Sequence, residues 1–246
     1  MERIMLETRL NGLGSNRRIQ MVNWVKWMVL GLFLVVQSAC GNDKAATANK
    51  KNDTKTENTA ATTKTKTILF FGNSLTAGYG LDPSQAFPAL IQQKIDSLNL
   101  PYKVVNAGVS GETSSGGNSR IDWILKQPVD VFVLELGAND GLRGVPVPET
   151  KKNLQSIIDK VKAKYPDAKL VLAGMQVPPN MGPQYASAFQ RIYPELAQAN
   201  NMALIPFLLQ GVGGEVKLNL EDGIHPTAEG HQIVATNVWQ VMKGVL

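Results

Sequence analysis

A parallel α/β sheet covered by helices on both faces is the architecture this sequence predicts, and three observations carry it. Apolar strand-like runs recur at 68–71, 102–105, 129–136, 170–173 and 202–206. Longer stretches with helical spacing lie between them, and strands alternating with helices favour a parallel sheet. Within the third run, Val131-Phe-Val-Leu134 is continuously apolar, as a strand buried on both sides requires.

The elements follow in order. After the first run, Gly72-Asn-Ser-Leu-Thr-Ala-Gly-Tyr-Gly80 reads as a turn entering a helix. Leu90, Ile91, Ile95 and Leu98 then share one helical face, and so do Leu154, Ile157, Ile158 and Val161. The last helix is expected over 226–245, with Pro226 in its first turn and Ile233, Val234, Val238 and Val241 along one stripe. In open α/β sheets the ligand crevice lies outside the carboxyl ends of the strands. Small residues and amides gather in those loops: Asn106-Ala-Gly108-Val-Ser-Gly111, Gly137-Ala-Asn139-Asp140 and Gly174-Met-Gln-Val-Pro-Pro179.

The first 66 residues do not read as part of this fold. Residues 1–40 form a leader: Lys26 precedes an almost uncharged apolar run, 27–39, which ends in small residues. The run is shorter than the ~20 residues that span a bilayer, so it fits a secretory signal, with an ordinary signal peptide or a single uncleaved anchor as the alternatives to a lipoprotein leader. Val-Gln-Ser-Ala-Cys40 resembles the lipobox of bacterial lipoproteins, although Gln37 stands where that family prefers an aliphatic residue. The resemblance implies lipidation of Cys40 and export to the outer side of a bacterial cell membrane, which becomes the protein's membrane partner. Met21 begins a normal short n-region and is an alternative start; a precursor peptide spanning residues 10–22 would exclude it. Residues 41–66, rich in Thr, Lys, Asn and Ala, cannot offset their ordering entropy by burial. They are expected to form a flexible tether with a reach of roughly 25–30 Å.

The formal charge of +5 belongs to these two segments. Residues 67–246, long enough for one domain, carry 14 Lys/Arg and 15 Asp/Glu, a net of −1. The charge therefore marks leader and tether, and no nucleic-acid surface is expected. One cysteine and two histidines argue against a disulfide framework or a zinc site. No metal or cofactor is called for, and a monomer is expected.

The chemistry concentrates in two places. Asp222-Gly-Ile-His225 sets a carboxylate three residues before an imidazole, and Ser74 sits just past the first strand. A serine hydroxyl needs a neighbouring base, and that base needs a group to fix its tautomer. Ser74, His225 and Asp222 could fill the three roles. Taken alone, Ser74 would read as a helix cap, Asp222 as a turn former and Asn139-Asp140 as an Asx turn. The nucleotide-loop reading fails for want of Gly-Lys-Ser/Thr, and the Gly-x-Ser-x-Gly elbow fails at Thr76.

Four blocks in order (Gly72-Asn-Ser-Leu-Thr-Ala-Gly-Tyr79, Asn106-Ala-Gly108, Gly137-Ala-Asn139-Asp140 and Asp222-Gly-Ile-His-Pro226) resemble the SGNH, or GDSL, hydrolase family. The likeness is closest to its small bacterial branch of acyl-CoA thioesterase I, lysophospholipase and arylesterase-type enzymes. That resemblance implies a flavodoxin-like three-layer α/β/α sandwich with about five parallel strands. It implies Ser74 as nucleophile, His225 as base and Asp222 as its partner. It also implies an oxyanion hole formed by the N–H groups of Ser74 and Gly108 and the amide of Asn139. The family usually has Asp before the serine; Asn73 keeps an acceptor and is expected to brace the turn. Asn106 and Gly111 are read as turn residues, Asp140 as structural and His231 as a partly exposed polar residue. Glu112 and Arg143 flank the site loops without a catalytic role.

The implied activity is hydrolysis of carboxylic esters or thioesters: medium acyl esters, aryl esters or lysophospholipids. The apolar, proline-rich segments 145–148 and 177–185 are expected to border the crevice and to suit an acyl chain. A carbohydrate O-deacetylase is the alternative enzyme. A non-catalytic, lipid-anchored binding module is the alternative outside enzymes.

Overall fold

The structure, a computed structural model, describes residues 64–246. Cys40, the leader and most of the tether lie outside the described residues. The chain enters the sheet at β1 (Lys66–Gly72), which begins on the last residue expected for the tether, one residue before the expected start of the domain.

A four-residue turn of helix follows, α1 (Ser74–Ala77), then α2 (Phe87–Ser97), β2 (Tyr102–Gly108) and α3 (Ser114–Ile124). Next come β3 (Val131–Glu135), the short α4 (Ala138–Leu142), α5 (Val147–Lys164), β4 (Lys169–Ala173) and α6 (Pro183–Asn200). The three-residue β5 (Ala203–Ile205) and α7 (Ala228–Met242) complete the fold. All neighbouring strands pair in parallel, in the order β2-β1-β3-β4-β5. This is the flavodoxin-like doubly wound order.

Alternation along β1 assigns the two helical layers. Phe70 meets Phe87 of α2 edge to face at 5.4 Å, while Phe71 lies under the Arg120 guanidinium of α3 at 4.0 Å. Helices α2 and α7 pack together on the first face, and α3, α5 and α6 pack side by side on the second. Both faces are thus covered, and every residue of β3 is buried.

Two local expectations change. Leu98 is not on the buried face of α2: the helix ends at Ser97, and Leu98 is its C-cap, 49% exposed. The final helix starts at Ala228 rather than Pro226. Thr227 is its N-cap and accepts a bond from the Gly230 N–H at 3.2 Å, while Pro226 bridges back to Asn219. Among the described residues, no helix is long and apolar enough to cross a membrane.

Candidate active site

The order β2-β1-β3 makes the carboxyl ends of β1 and β3 a topological switch point, where a crevice opens. Ser74 lies at the end of β1. Asn73 caps α1, its Oδ1 accepting from the Leu75 N–H at 2.9 Å, so the bracing role expected of it is filled.

The loop after β5 brings in the other two groups. Leu220 N–H donates to the His225 carbonyl at 2.7 Å, and Thr227 N–H to that of Leu218 at 2.8 Å, which ties the loop into a narrow hairpin. Inside it, Asp222 Oδ1 accepts from the N–H groups of Ile224 and His225, both at 3.0 Å. The other carboxylate oxygen lies 2.6 Å from His225 Nδ1, and His225 Nε2 lies 2.8 Å from Ser74 Oγ. The hydrogen bond from His225, helped by the N–H of Ile224, holds the Asp222 carboxyl down at about 2. Asp222 is therefore a carboxylate at neutral pH, Nδ1 carries the imidazole proton, and Nε2 is left to accept from the hydroxyl. Tyr79 covers the imidazole, ring centroids 4.5 Å apart.

The oxyanion donors need one correction. The Gly108 N–H is already bound, donating to Asn106 Oδ1 at 3.0 Å, and Gly108 does not line the cavity. It is a glycine for another reason: a Cβ there would stand 2.3 Å from the Ala77 backbone nitrogen. Three residues on, Gly111 lines the cavity with Ser74 and Asn139. Its N–H, like that of Ser74, meets no acceptor among the described residues. Asn139 Nδ2 spends one hydrogen on the Glu112 carbonyl at 3.0 Å and keeps a second.

Arg120 ties these segments together. Its Nε and Nη2 reach the two Glu112 carboxylate oxygens, each at 2.5 Å. Nη2 also donates to the carbonyls of Ala107, at 2.7 Å, and Gly72, at 3.4 Å. The ends of β1 and β2 and the loop bearing Gly111 thus share one guanidinium.

The cavity holds about 700 Å³, and among the described residues His225 is the only ionisable side chain on its wall apart from the Tyr79 phenol. Val177, Pro178 and Pro179 border it as expected. Residues 145–148 do not; they lead into α5, and the Val145 carbonyl is held by Tyr185 Oη at 2.7 Å. Asp140 serves structure, accepting from the Ser114 N–H and hydroxyl at 2.8 and 2.5 Å. Arg143 rests on the Gly111 carbonyl at 3.1 Å. His231 is not exposed: it is 1% accessible, and its Nδ1 accepts from the Phe87 N–H at 3.1 Å. Four site residues escaped sequence reasoning: Arg120, which carried no signal; Gly111, read only as a turn residue; Tyr79; and Glu135. Tyr79 carried no signal beyond its place in the first block. Glu135 did: it is the one charge within the otherwise apolar stretch 131–136, and it lies fully buried behind Asn73.

Residues 70–233 match the GDSL-like Lipase/Acylhydrolase family. The chain belongs to this family. Esterase TesA of Pseudomonas aeruginosa is 42% identical over 182 residues, covering 74% of this chain and 90% of its own. The Thioesterase 1/protease 1/lysophospholipase L1 of Escherichia coli K12 is 40% identical over 170 residues, 69% of this chain and 79% of its own. Among solved structures, a psychrotrophic esterase EstA from Pseudoalteromonas, inhibited by monoethylphosphonate, superposes with a TM-score of 0.68 at 33% identity. That match covers 73% of this chain and 97% of the esterase. The four-block resemblance and the flavodoxin-like sandwich it implied both hold, and the protein is a GDSL-type ester or thioester hydrolase.

Proposed function

We propose that this GDSL-type hydrolase cleaves carboxylic esters and thioesters through an acyl-enzyme on Ser74. The observation that carries the reading is the relay Asp222–His225–Ser74, with links of 2.6 and 2.8 Å, opening on an apolar cavity. Ser74 Oγ attacks the substrate carbonyl carbon as its proton passes to His225 Nε2. Charge develops on the carbonyl oxygen, which faces the N–H groups of Ser74 and Gly111 and the free amide hydrogen of Asn139. One such donor is typically worth about 10²–10³ in turnover. The tetrahedral adduct collapses, and His225 gives its proton to the departing alkoxide or thiolate. Water then attacks the acyl-enzyme as its proton passes to His225; the second adduct collapses by breaking the bond to Ser74 Oγ, which takes the proton back from His225, and the carboxylic acid leaves.

The cavity wall favours medium acyl esters, aryl esters or lysophospholipids. It is apolar, with Leu75, Leu142, Met175, Phe207 and Leu209 among its residues, which suits an acyl chain rather than a polyhydroxylated sugar. A binding module would have no use for an imidazole aligned on a serine. Labelling by a fluorophosphonate, lost in Ser74→Ala, tests the nucleophile. A chain-length series of p-nitrophenyl esters, with acetylated sugar as the opposing substrate, tests the class. Hydrolysis by folded Ser74→Ala would sink the reading.

The leader and tether support a second element: lipidation of Cys40, export, and a domain held off a bacterial membrane. Palmitate incorporation that persists in Cys40→Ala would refute the anchor.

A further inference from the structure

Behind the nucleophile turn, Asn73 and Glu135 form a pair that the hydrolysis scheme does not use. Both are completely buried. Asn73 Nδ2 donates to Glu135 Oε1 at 2.8 Å, and the Asn73 N–H donates to Oε2 at 3.1 Å. Thr76 Oγ1 donates to the same Oε2 at 2.8 Å. On its other side, Asn73 Oδ1 accepts from the Leu75 N–H at 2.9 Å and lies 3.5 Å from Ser74 Oγ. The amide has one workable orientation: turned over, its nitrogen would meet the Leu75 N–H and its oxygen the carboxylate. The space is closed as well. A Cβ on Gly72 would stand 2.2 Å from Thr76 Oγ1 and 2.5 Å from Glu135 Oε2.

We infer that Glu135 is a positioning residue for Ser74, acting through the Asn73 side chain, and that the pair works by polarity. One member must accept where the other donates. The family usually places Asp at position 73; in this chain an amide stands there, and the carboxylate it needs is supplied by Glu135. The inference rests on Ser74 being the nucleophile.

The geometry gives the polarity rule a sharp consequence. In Glu135→Gln, an amide oxygen at the Oε2 position sets the new NH₂ against Asn73 Nδ2. The opposite orientation sets it against the Asn73 N–H. Either way a buried donor faces a donor. Turning Asn73 over only moves the conflict to Leu75. Adding Asn73→Asp resolves it, because the new carboxylate then accepts from the introduced amide at position 135 with one oxygen and from the Leu75 N–H with the other. Thr76, whose hydroxyl both donates and accepts, can take up a proton on Glu135 without disturbing either Asn73 bond.

The test is steady-state kinetics on a short p-nitrophenyl ester, with thermal melts of each variant. Glu135→Gln is expected to lower kcat by about 10²-fold, the scale of a misplacement near 1 Å. KM should change less than about threefold, because acyl-chain contacts are untouched. The double variant Asn73→Asp/Glu135→Gln is expected to recover kcat to within about fivefold of wild type. A Glu135→Gln enzyme with wild-type kcat would overturn the inference even if its melting point fell, since that is what a purely structural role predicts. A double variant no faster than the single one would overturn it too. If the single variant does not fold, the double decides: folded and active supports the pair, inactive refutes it. Fluorophosphonate labelling of wild type, lost in Ser74→Ala, tests the nucleophile separately.

Discussion

Ser74 Oγ and His225 Nε2 stand 2.8 Å apart although 151 positions of chain separate them. The contact depends on a third residue that never touches the serine. Asp222 binds the far side of the imidazole and also pins the backbone that presents it. Asp222→Asn removes the charge and invites the wrong tautomer. Turnover is expected to fall by about 10³–10⁴-fold with little change in folding. The Asp222 carboxyl is held at about 2, chiefly by its bond from His225. The acidic limb of a kcat/KM–pH profile should therefore not report Asp222. A profile that tracks an acid near 2 would contradict this.

Arg120 should matter to kcat more than to binding. It grips the carbonyls of Gly72 and Ala107 and the Glu112 carboxylate, while the Glu112 carbonyl holds Asn139. A lysine is a point charge on a flexible stem and cannot span these partners as a planar fork does. Arg120→Lys is expected to lose about 10–100-fold in kcat through misplaced oxyanion donors. A lysine variant that keeps its kcat and loses only thermal stability would remove this role.

Gly108 and Gly111 make a contrasting pair. A Cβ at Gly108 has no space, 2.3 Å from the Ala77 nitrogen, so Gly108→Ala should destabilise the fold. At Gly111 the nearest atom is 3.9 Å away, but φ is +79°, a conformation worth about 1–2 kcal/mol against an L side chain. Gly111→Ala should thus fold, with a lower melting point, and lose turnover as its N–H is displaced. Equal melting points and equal activities for the two variants would refute the distinction.

Two buried groups give opposed pH dependences of stability. Burial raises the Glu135 carboxyl from 4.5 to about 7, so between those values the folded state keeps a proton the unfolded chain has lost. Its stabilising contribution is full below pH 4.5 and is lost as pH rises through 7, roughly 3 kcal/mol in all. Burial lowers the His231 imidazole from 6.5 to about 4. Its contribution, also roughly 3 kcal/mol, is full above pH 6.5 and is lost as pH falls through 4. Urea midpoints from about pH 4 to 8 separate them. The wild-type advantage over Glu135→Gln should shrink as pH rises, and that over His231→Gln should shrink as pH falls. Parallel curves would refute both assignments.

Much of this molecule is legible in the order of its residues. Period and apolarity mark the strands, most plainly β3, whose every residue is buried and which therefore has little freedom in what it can carry; β2, at the sheet edge, is largely exposed or half-buried and shows a weaker pattern. Ser74, Asp222, His225 and Asn139 announce themselves because each sits in a compact block with a distinctive residue order. Gly108 misled for a physical reason. Two glycines three residues apart carry the same letter, yet one is a glycine for packing and the other lines the cavity with an N–H that meets no acceptor among the described residues. His231 misled likewise, since nothing in its helix tells of the Phe87 N–H it receives from α2.

The sequence by itself determined the alternation of strands and helices, the blocks that hold Ser74, Asn139, Asp222 and His225, and the family. Each is written in short blocks of neighbouring residues, and the family in the order of four such blocks. Only the tertiary structure decided which N–H groups meet no acceptor among the described residues, that Arg120 joins the strand ends, and that Asn73 donates to Glu135. Those facts are hydrogen-bond pairings between segments distant in the chain and brought together by the sheet order. A backbone donor has the same letter whether its partner is a carbonyl, a carboxylate or an empty pocket, so only the folded chain reveals which it is.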